Sequence, residues 1–310
     1  MVLLNHKALK VPGSMPEMVL EGEAVVGGAV TVVNAIPTGR GAALGIGLRT
    51  RARVRLIEGE SGVRFLDVGR VGDDRVVRAT VEVVLDWAGT RGVGCEVDVI
   101  SEVPVAVGLK SSSAAASAVA FALFDALGVL PAPEEALRLI AEASLRSGTS
   151  VTGAADDAAA CFMGGFVVTD NAAKALLRRE GVGGDIVAVV SVPKGRRTYT
   201  SEFRREILDP FRPAFDAAFD LALRGDLFGA MTVNGLAMSA ALGYGAEFLA
   251  EAMRRGARSC SISGTGPAMA ALVSRSDSDA VSDALSDYGE VMVVGLNNRP
   301  ASLGSGRSWP

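Results

Sequence analysis

The sequence contains few of the side chains on which many enzymes depend. It has one histidine, His6, and three widely separated cysteines, Cys95, Cys161 and Cys260. This set cannot supply the closely spaced Cys and His ligands of a zinc site within one chain, and the position of His6 near the N-terminus argues against a Ser-His-Asp triad. An odd and sparse cysteine count is typical of proteins of the reducing cytosol, so a cytoplasmic location is predicted.

Blocks of like charge and long apolar runs are also missing. The 31 basic and 35 acidic residues give a net charge of −4 and are mixed along the chain, which argues against a nucleic-acid partner. The longest apolar stretch, Ala114–Leu130, is interrupted by Ser117, Asp125 and Gly128, and it predicts a buried helix rather than a membrane span. No membrane partner is therefore expected, and the sequence leaves the oligomeric state open.

The composition is that of a folded chain with two domains. Its 310 residues are 49% hydrophobic and 21% charged, which is enough to build a large core. The segment Met1–Pro16 has no sustained periodicity and is left out of the fold prediction. The tail Pro300–Pro310, rich in Gly and Ser, is expected to be loose.

Hydrophobic periodicity predicts an α+β fold, because strands and helices alternate without the regular rhythm of a doubly wound sheet. The segment Arg75–Trp87 is compatible with either a strand or a helix. The predicted strands are Glu23–Val33, Ala42–Ile57, Gly94–Glu102, Phe166–Thr169, Asp185–Val192, Ser259–Ser263, Ala268–Val273 and Val291–Leu296. The predicted helices are Ser112–Leu127, Pro133–Arg146, Ala154–Met163, Phe211–Arg224, Leu227–Ala241, Ala246–Arg255 and Ser278–Leu285.

The most informative motif joins a predicted strand to an alanine-rich helix. A glycine turn is followed by a lysine and three serines, and this pattern favours an anion site, because amides at a helix N-terminus are unpaired and that end is positive. Serine hydroxyls add donors or can bind Mg²⁺. The candidate phosphate-binding residues are Gly108, Leu109, Lys110, Ser111, Ser112, Ser113 and Ala114.

Ordinary helix capping is the alternative interpretation of these serines, since serine is a preferred N-cap. One serine would be enough for a cap, so three in a row favour phosphate binding. The loop is not a Walker A motif, because no Gly-Lys-Ser/Thr ends a suitably spaced pair of glycines.

The loop resembles the phosphate-binding motif of the GHMP kinases, in which most members have Gly where this chain has Lys110. The form Gly-Leu-Lys-Ser-Ser-Ser is similar to the archaeal-type shikimate kinase branch of that family. Two further stretches resemble the first and third family motifs, and the similarity runs from about Gly22 to Leu296. These stretches are Gly27–Ala35 with Thr38–Gly41, and Ser261–Pro267.

The resemblance implies a two-domain α+β fold with the active site between the domains. Residues 18–170 would form an N-terminal domain like domain 2 of ribosomal protein S5, and residues 171–300 a ferredoxin-like C-terminal domain. It also implies ATP and Mg²⁺ as cofactors and shikimate as the small-molecule substrate, converted to shikimate 3-phosphate.

Two acids, Asp156 and Asp157, begin a helix of small residues. Alone they would be interpreted as acids that complement the helix dipole. The resemblance implies that one of them approaches the attacking hydroxyl; the spacing to Gly164-Gly165 favours Asp156, and Asp157 stays a candidate. It also implies Ser112 and Glu142 as magnesium ligands, although an exposed helical glutamate is an equally good interpretation of Glu142.

A substrate carboxylate calls for an arginine or lysine, preferably in a two-pronged contact. Arg40, between two glycines, is one candidate, and Lys194, Arg196 and Arg197 are others, although for each a solvated side chain is the simpler interpretation. A plain β-turn is the alternative at Gly264–Pro267. The candidate substrate-binding residues are Asn34, Gly39, Arg40, Gly41, Thr265 and Gly266.

Two rival functions remain at this stage. A sister kinase acting on homoserine or mevalonate would share the three motifs, but Lys110 and the stretch Thr38–Gly41 argue against it. A non-catalytic nucleotide-binding protein of the same fold would not need Asp156 together with an intact serine loop.

Overall fold

A computed structural model of the chain describes residues 20–66, 74–198 and 203–307. The segment Met1–Pro16 and Tyr199 of the predicted basic loop lie outside these ranges. The first strands are β1 Leu20–Val33, β2 Arg40–Glu58, β3 Val63–Phe65, β4 Val93–Ser101, β5 Phe166–Asp170 and β6 Ala175–Glu180. The later strands are β7 Ile186–Val192, β8 Ala257–Ile262, β9 Met269–Ser274, β10 Glu290–Gly295 and β11 Ser302–Leu303.

Helices fill the intervals between these strands. The four in the first part of the chain are α1 Asp74–Trp87, α2 Ser111–Leu127, α3 Pro133–Arg146 and α4 Ala155–Met163. The later four are α5 Arg212–Leu223, α6 Leu227–Leu242, α7 Glu247–Arg254 and α8 Ser278–Ser286, with short 3₁₀ helices at Arg205–Phe211 and Arg275–Asp277. Among the described residues, none of the helices combines the length and the apolarity that a bilayer span needs.

The first sheet is built on the long antiparallel pair β1–β2. Its strand order is β11-β1-β2-β4-β3, and β5 pairs with β2 and with β6. The alternation in β2 is confirmed, since Ala52, Val54 and Leu56 are buried while the arginines between them are exposed. Helices α2 and α4 pack on β1 and β2, and the rings of Phe121 and Phe162 lie 5.1 Å apart in the core between them.

The second sheet has the strand order β10-β7-β9-β8, with antiparallel neighbours throughout. Helices α5, α6 and α7 lie between β7 and β8 in sequence, and α8 lies between β9 and β10. This is the split β-α-β-β-α-β arrangement of ferredoxin-like domains, so the predicted fold of the second half is confirmed. Its own core contains Phe215, Phe248 and Leu285.

Two strands beyond residue 170 belong to the first sheet. Strand β6 pairs with β5, and β11 pairs with β1 through Ala24–Leu303 and Val25–Ser302. The division between residues 170 and 171 stays a prediction, and the pairing of Ala175–Glu180 assigns that segment to the first sheet. The loose tail was wrong for residues 302–307, because in addition to β11 the side chains of Ser305 and Arg307 bind Asp125 at the end of α2.

The two sheets are joined by a buried polar contact at the end of β1. The backbone amide of Asn34 donates to Oδ1 of Asn234 in α6 at 2.9 Å, and Nδ2 of Asn234 donates to Ser261 in β8 at 2.9 Å. Asn34 and Asn234 are almost fully buried. Because an unpaired polar group in such a place is unfavourable, the contact fixes this part of the joint.

Candidate active site

A cavity lies where β1, the start of α2, the start of α4 and the β8–β9 turn meet. Nine of the predicted site residues line it, and ten do not. Those lining the cavity are Asn34, Gly108, Lys110, Ser111, Ser112, Ser113, Asp156, Asp157 and Thr265. Those not lining it are Gly39, Arg40, Gly41, Leu109, Ala114, Glu142, Lys194, Arg196, Arg197 and Gly266.

The cavity end of α2 has the features of an anion site. Lys110 occupies the N-cap position in the left-handed conformation, with φ of 67°, and no side chain caps the helix. The three serines follow in the first turn, so ordinary serine capping is excluded and the first amides keep their hydrogen-bonding capacity. Leu109 and Ala114 are fully buried and hold the loop against the core.

Gly108 allows the β8–β9 turn to approach the loop. Its φ is 93°, and a Cβ at this position would lie 2.1 Å from the carbonyl oxygen of Ser263. The hydroxyl of Ser263 donates to the carbonyl of Gly108 at 2.7 Å, and the amide of Ala268 donates to the carbonyl of Val107 at 2.9 Å. Only glycine combines this backbone angle with so close an approach.

The third and first predicted motifs also touch each other. Oγ of Ser263 accepts from the amide of Thr31 at 3.0 Å, and Oγ1 of Thr31 accepts from the amide of Gly264 at 2.8 Å. Nδ2 of Asn34 donates to the carbonyl of Gly264 at 2.9 Å. Three segments that are distant in sequence therefore form one wall of the cavity.

Asp157 faces Lys110 across the mouth of α2. Its Oδ1 lies 3.1 Å from Nζ of Lys110, and both side chains are nearly buried. Burial, which is the largest cause, and the negative charge of Asp156 together raise the pKa of Asp157 to about 7, although Lys110 acts in the opposite direction. The cavity thus contains a carboxylate that changes charge near neutral pH.

Asp156 is held by a residue that carried no signal in the sequence. Its Oδ1 accepts from Nδ2 of Asn171 at 2.8 Å, and Asn171 is 1% exposed. On the other side of the carboxylate, a Cβ at Gly41 would lie 2.6 Å from Oδ2 of Asp156. Gly41 therefore contacts the acid, and its predicted contact with substrate stays a prediction.

Comparison with known proteins agrees with this geometry. The profile of the GHMP kinases N terminal domain matches residues 75–165. The shikimate kinase of Methanosarcina acetivorans is 39% identical over 94% of this chain and 99% of its own. That of Methanothrix thermoacetophila is 41% identical over 92% and 97%, and that of Pyrococcus furiosus 35% identical over 86% and 96%. The chain belongs to the GHMP-type shikimate kinase family.

Solved structures of GHMP kinases have the same fold. Homoserine kinase from Cytophaga hutchinsonii superposes with a TM-score of 0.71 at 20% identity, covering 94% of this chain and 99% of its own. L. major mevalonate kinase in complex with R-mevalonate gives 0.66 at 16% identity, covering 92% and 98%. At these identities the likeness extends to the fold alone, and it confirms the predicted two-domain α+β class.

Glu142, which the resemblance to the shikimate kinases implies as a magnesium ligand, does not line the cavity. Its side chain is 41% exposed and forms ion pairs with Arg146, at 2.9 Å, and with Lys174, at 3.3 Å. Glu142 therefore matches the alternative interpretation of the sequence, an exposed glutamate on a helix. Its role as a magnesium ligand stays a prediction without a geometric basis.

The side chain of Arg40 does not line the cavity and contacts two residues of α5 instead. Its Nη2 lies 2.7 Å from Oδ1 of Asp216, and its guanidinium lies 4.6 Å from the centre of the Phe219 ring.

Replacing Arg40 by alanine is expected to leave the KM for the acceptor substrate unchanged. It should reduce the free energy of unfolding by only about 1 kcal/mol, because both members of the ion pair are more than a third exposed. Steady-state kinetics and urea unfolding measure the two effects. A large rise in the KM for the acceptor would instead support the predicted contact between Arg40 and the substrate.

The raised pKa of Asp157 makes folding stability depend on pH. An unfolded aspartate titrates at about 3.9, so between about pH 4 and pH 7 the folded protein binds more protons than the unfolded chain, and the contribution of Asp157 to stability is lost as pH rises. Asp157→Asn is expected to remove this part of the slope in urea unfolding measured without nucleotide. Asp283→Asn, at an exposed acid of α8, is the control that should keep the wild-type slope. An unchanged slope in Asp157→Asn would contradict the assignment.

Proposed function

We propose that this chain transfers the γ-phosphoryl group of ATP to a hydroxyl of shikimate, giving shikimate 3-phosphate and ADP. One observation carries the proposal: the open N-terminus of α2, with Lys110 and three serines, shares a cavity with the buried pair Asp156 and Asp157. The names of the relatives support shikimate as the acceptor, and so does the Gly-Leu-Lys-Ser-Ser-Ser form of the loop.

In this proposal the loop binds the phosphates of the nucleotide. Backbone amides of the first turn of α2 and the serine hydroxyls donate to phosphate oxygens, and the positive end of the helix stabilises their charge. Lys110 adds a cation whose charge is partly balanced by Asp157 at 3.1 Å. Gly108, Leu109 and Ala114 contribute backbone position rather than side-chain contacts.

Asp156 is assigned to the acceptor hydroxyl. As the hydroxyl oxygen forms its bond to the γ-phosphorus, the bond from that phosphorus to the β-γ bridging oxygen breaks, and the hydroxyl proton passes to the carboxylate. A loose transition state demands little base strength, so holding the hydroxyl in line is the larger contribution. Asp157 stays the second candidate because its Oδ1 already faces Nζ of Lys110 at 3.1 Å.

Mg²⁺ fits the donors of this cavity. The ion prefers oxygen ligands, keeps several waters, and commonly takes one or two protein ligands together with the phosphates of its nucleotide. Within the described residues no group of three or more acidic, His or Cys side chains offers a full protein cage. The hydroxyl of Ser112 would hold the ion together with phosphate oxygens, and the ion would neutralise charge that develops on the transferred group.

Recognition of the acceptor is assigned to the wall formed by Asn34 and Thr265, which line the same cavity as Asp156. A cation for the substrate carboxylate is available next to Thr198, a lining residue whose amide donates to Ala106 at 2.9 Å. Arg196 and Arg197 immediately precede it and are exposed. The sparse, odd cysteine count supports a cytoplasmic location for this reaction.

A coupled assay for ADP release tests the proposal directly. Shikimate, homoserine and mevalonate are compared at equal concentrations with ATP and Mg²⁺, and turnover is expected with shikimate alone. Preference for homoserine or mevalonate would transfer the chain to a sister kinase activity. ATP binding without turnover of any of the three would favour a non-catalytic nucleotide-binding protein.

A further inference from the structure

A chain of buried hydrogen bonds leads from the end of β5 to Asp156. Thr169 is fully buried at the end of that strand, and its hydroxyl donates to Oδ1 of Asn171 at 2.6 Å. Nδ2 of Asn171 then donates to Oδ1 of Asp156 at 2.8 Å and to the hydroxyl of Thr152 at 3.2 Å. The side-chain amide of Asn171 therefore makes hydrogen bonds to Thr169, Asp156 and Thr152.

The chemistry of the partners fixes which end of the amide faces the acid. A flipped amide would place its oxygen against the carboxylate of Asp156, bringing two acceptors together in a buried site. The observed orientation gives the carboxylate a donor and gives the Thr169 hydroxyl an acceptor. The carboxylate of Asp156 thereby selects the orientation of the Asn171 amide, and the Thr169 hydroxyl, which can donate or accept, holds that orientation by donating to Oδ1.

The backbone around Asn171 is fixed as well. Its amide donates to the carbonyl of Gly39 at 2.9 Å, in the stretch that leads into β2. Two residues later, Gly41 closes the opposite side of the Asp156 carboxylate, because a Cβ there would lie 2.6 Å from Oδ2. The acid is thus held between an amide donor on one side and the bare backbone of a glycine on the other.

We propose that Asn171 is a positioning residue for phosphoryl transfer, which holds the Asp156 carboxylate toward the acceptor hydroxyl and is itself held by the hydrogen bond from Thr169. This inference rests on the role given to Asp156 in the proposed function. A positioning residue acts on the geometry of the acid and not on the nucleotide, so its loss lowers kcat while the KM for ATP stays constant. Displacement of a catalytic group by about 1 Å can reduce a rate by about 100-fold.

The test combines three substitutions with the full-length chain and whichever acceptor it turns over. Asn171→Ala is expected to lower kcat by about 10- to 100-fold, the range for one charge-assisted hydrogen bond. Thr169→Val keeps the shape of the side chain and is expected to lower kcat by a smaller factor. In a chain that already carries Asp156→Asn, adding Asn171→Ala is expected to lower kcat by less than about threefold. The reason is that the effects of residues that act as a unit are not additive.

Thr80→Val is the matched control. Thr80 is also fully buried and also donates its hydroxyl, to the carbonyl of Val76 at 2.7 Å, but it does not line the cavity. It should change the melting temperature about as much as Thr169→Val while kcat stays at the wild-type value. If Asn171→Ala does not fold, the comparison of Thr169→Val with Thr80→Val decides the question by itself.

Any one of the following results would overturn the inference. A wild-type kcat in Asn171→Ala, or in Thr169→Val, would exclude a positioning role, and so would independent, multiplying losses in the double variant. Loss of activity in Asp156→Asn with none in Asn171→Ala would overturn this inference alone. Full activity in Asp156→Asn would overturn the role of the acid and this inference together, while leaving the acceptor identified by the ADP assay intact.

Discussion

Asp156→Asn is expected to lower kcat for the acceptor by about 100- to 10,000-fold, the usual contribution of a positioned proton acceptor. The substitution keeps the size of the side chain but removes the charge and the ability to take the hydroxyl proton. Asp156 is 3% exposed, and the Oδ1 of an asparagine at this position can still accept the hydrogen bond from Asn171, so the fold tolerates the substitution. Rapid-quench single-turnover measurements with labelled ATP have the sensitivity for such residual rates.

Asp157→Asn is the matched comparison, because it changes the neighbouring acid in the same helical turn. It leaves Lys110 without its partner at 3.1 Å, so its effect should fall on the KM for ATP as well as on kcat. A larger loss of kcat in Asp157→Asn than in Asp156→Asn, with an unchanged ATP KM, would reverse the roles assigned to the two acids.

Gly108→Ala is expected to reduce the free energy of unfolding by more than about 3 kcal/mol and to abolish nucleotide binding. The new Cβ would lie 2.1 Å from the carbonyl oxygen of Ser263, an atom of backbone that cannot rotate away as a flexible side chain would. The backbone angle, with φ of 93°, adds a second unfavourable contribution. Urea unfolding gives the stability, and fluorescence titration with an ATP analogue gives the affinity.

Gly62→Ala separates these two contributions. Gly62 has a φ of 85°, and a Cβ there would meet nothing within 4 Å. It should therefore show only the unfavourable backbone angle, about 1–2 kcal/mol, and leave ATP binding unchanged. Equal destabilisation by the two substitutions would mean that the β8–β9 turn moves away from the phosphate loop at little cost.

Local signals in the sequence predicted the elements that form the candidate phosphate site. The glycine turn, the serines and the alanine-rich run that ends at Gly128 place α2 to within one residue of its observed start. Strand β2 was predicted from its alternating arginines. The segment Arg75–Trp87 stayed ambiguous because nearly half of its residues are β-branched. Its charged residues nevertheless recur at helical spacing, and the helix packs on α2 and α3.

Features that depend on distant partners were beyond the sequence. Strand β6 alternates weakly and is only partly buried, and β11 has two residues, so neither carries a recognisable pattern. Arg40 was a reasonable candidate for a carboxylate, but its partner Asp216 is 176 residues away. Asn171 belongs to no motif, and its contact with Asp156 exists because the β5–β6 hairpin returns beside α4.

The pairing of β11 with β1 makes the first sheet discontinuous in sequence. Residues near 24 and near 303 are neighbours in space, and the whole ferredoxin-like unit is inserted between them. During synthesis, that unit can fold on the ribosome while an edge of the first sheet still awaits its last strand. The same late segment binds Asp125 near the far end of α2, about 21 Å from the start of the helix at 1.5 Å per residue. This contact at the end of α2 therefore forms only after the whole ferredoxin-like unit has been synthesised.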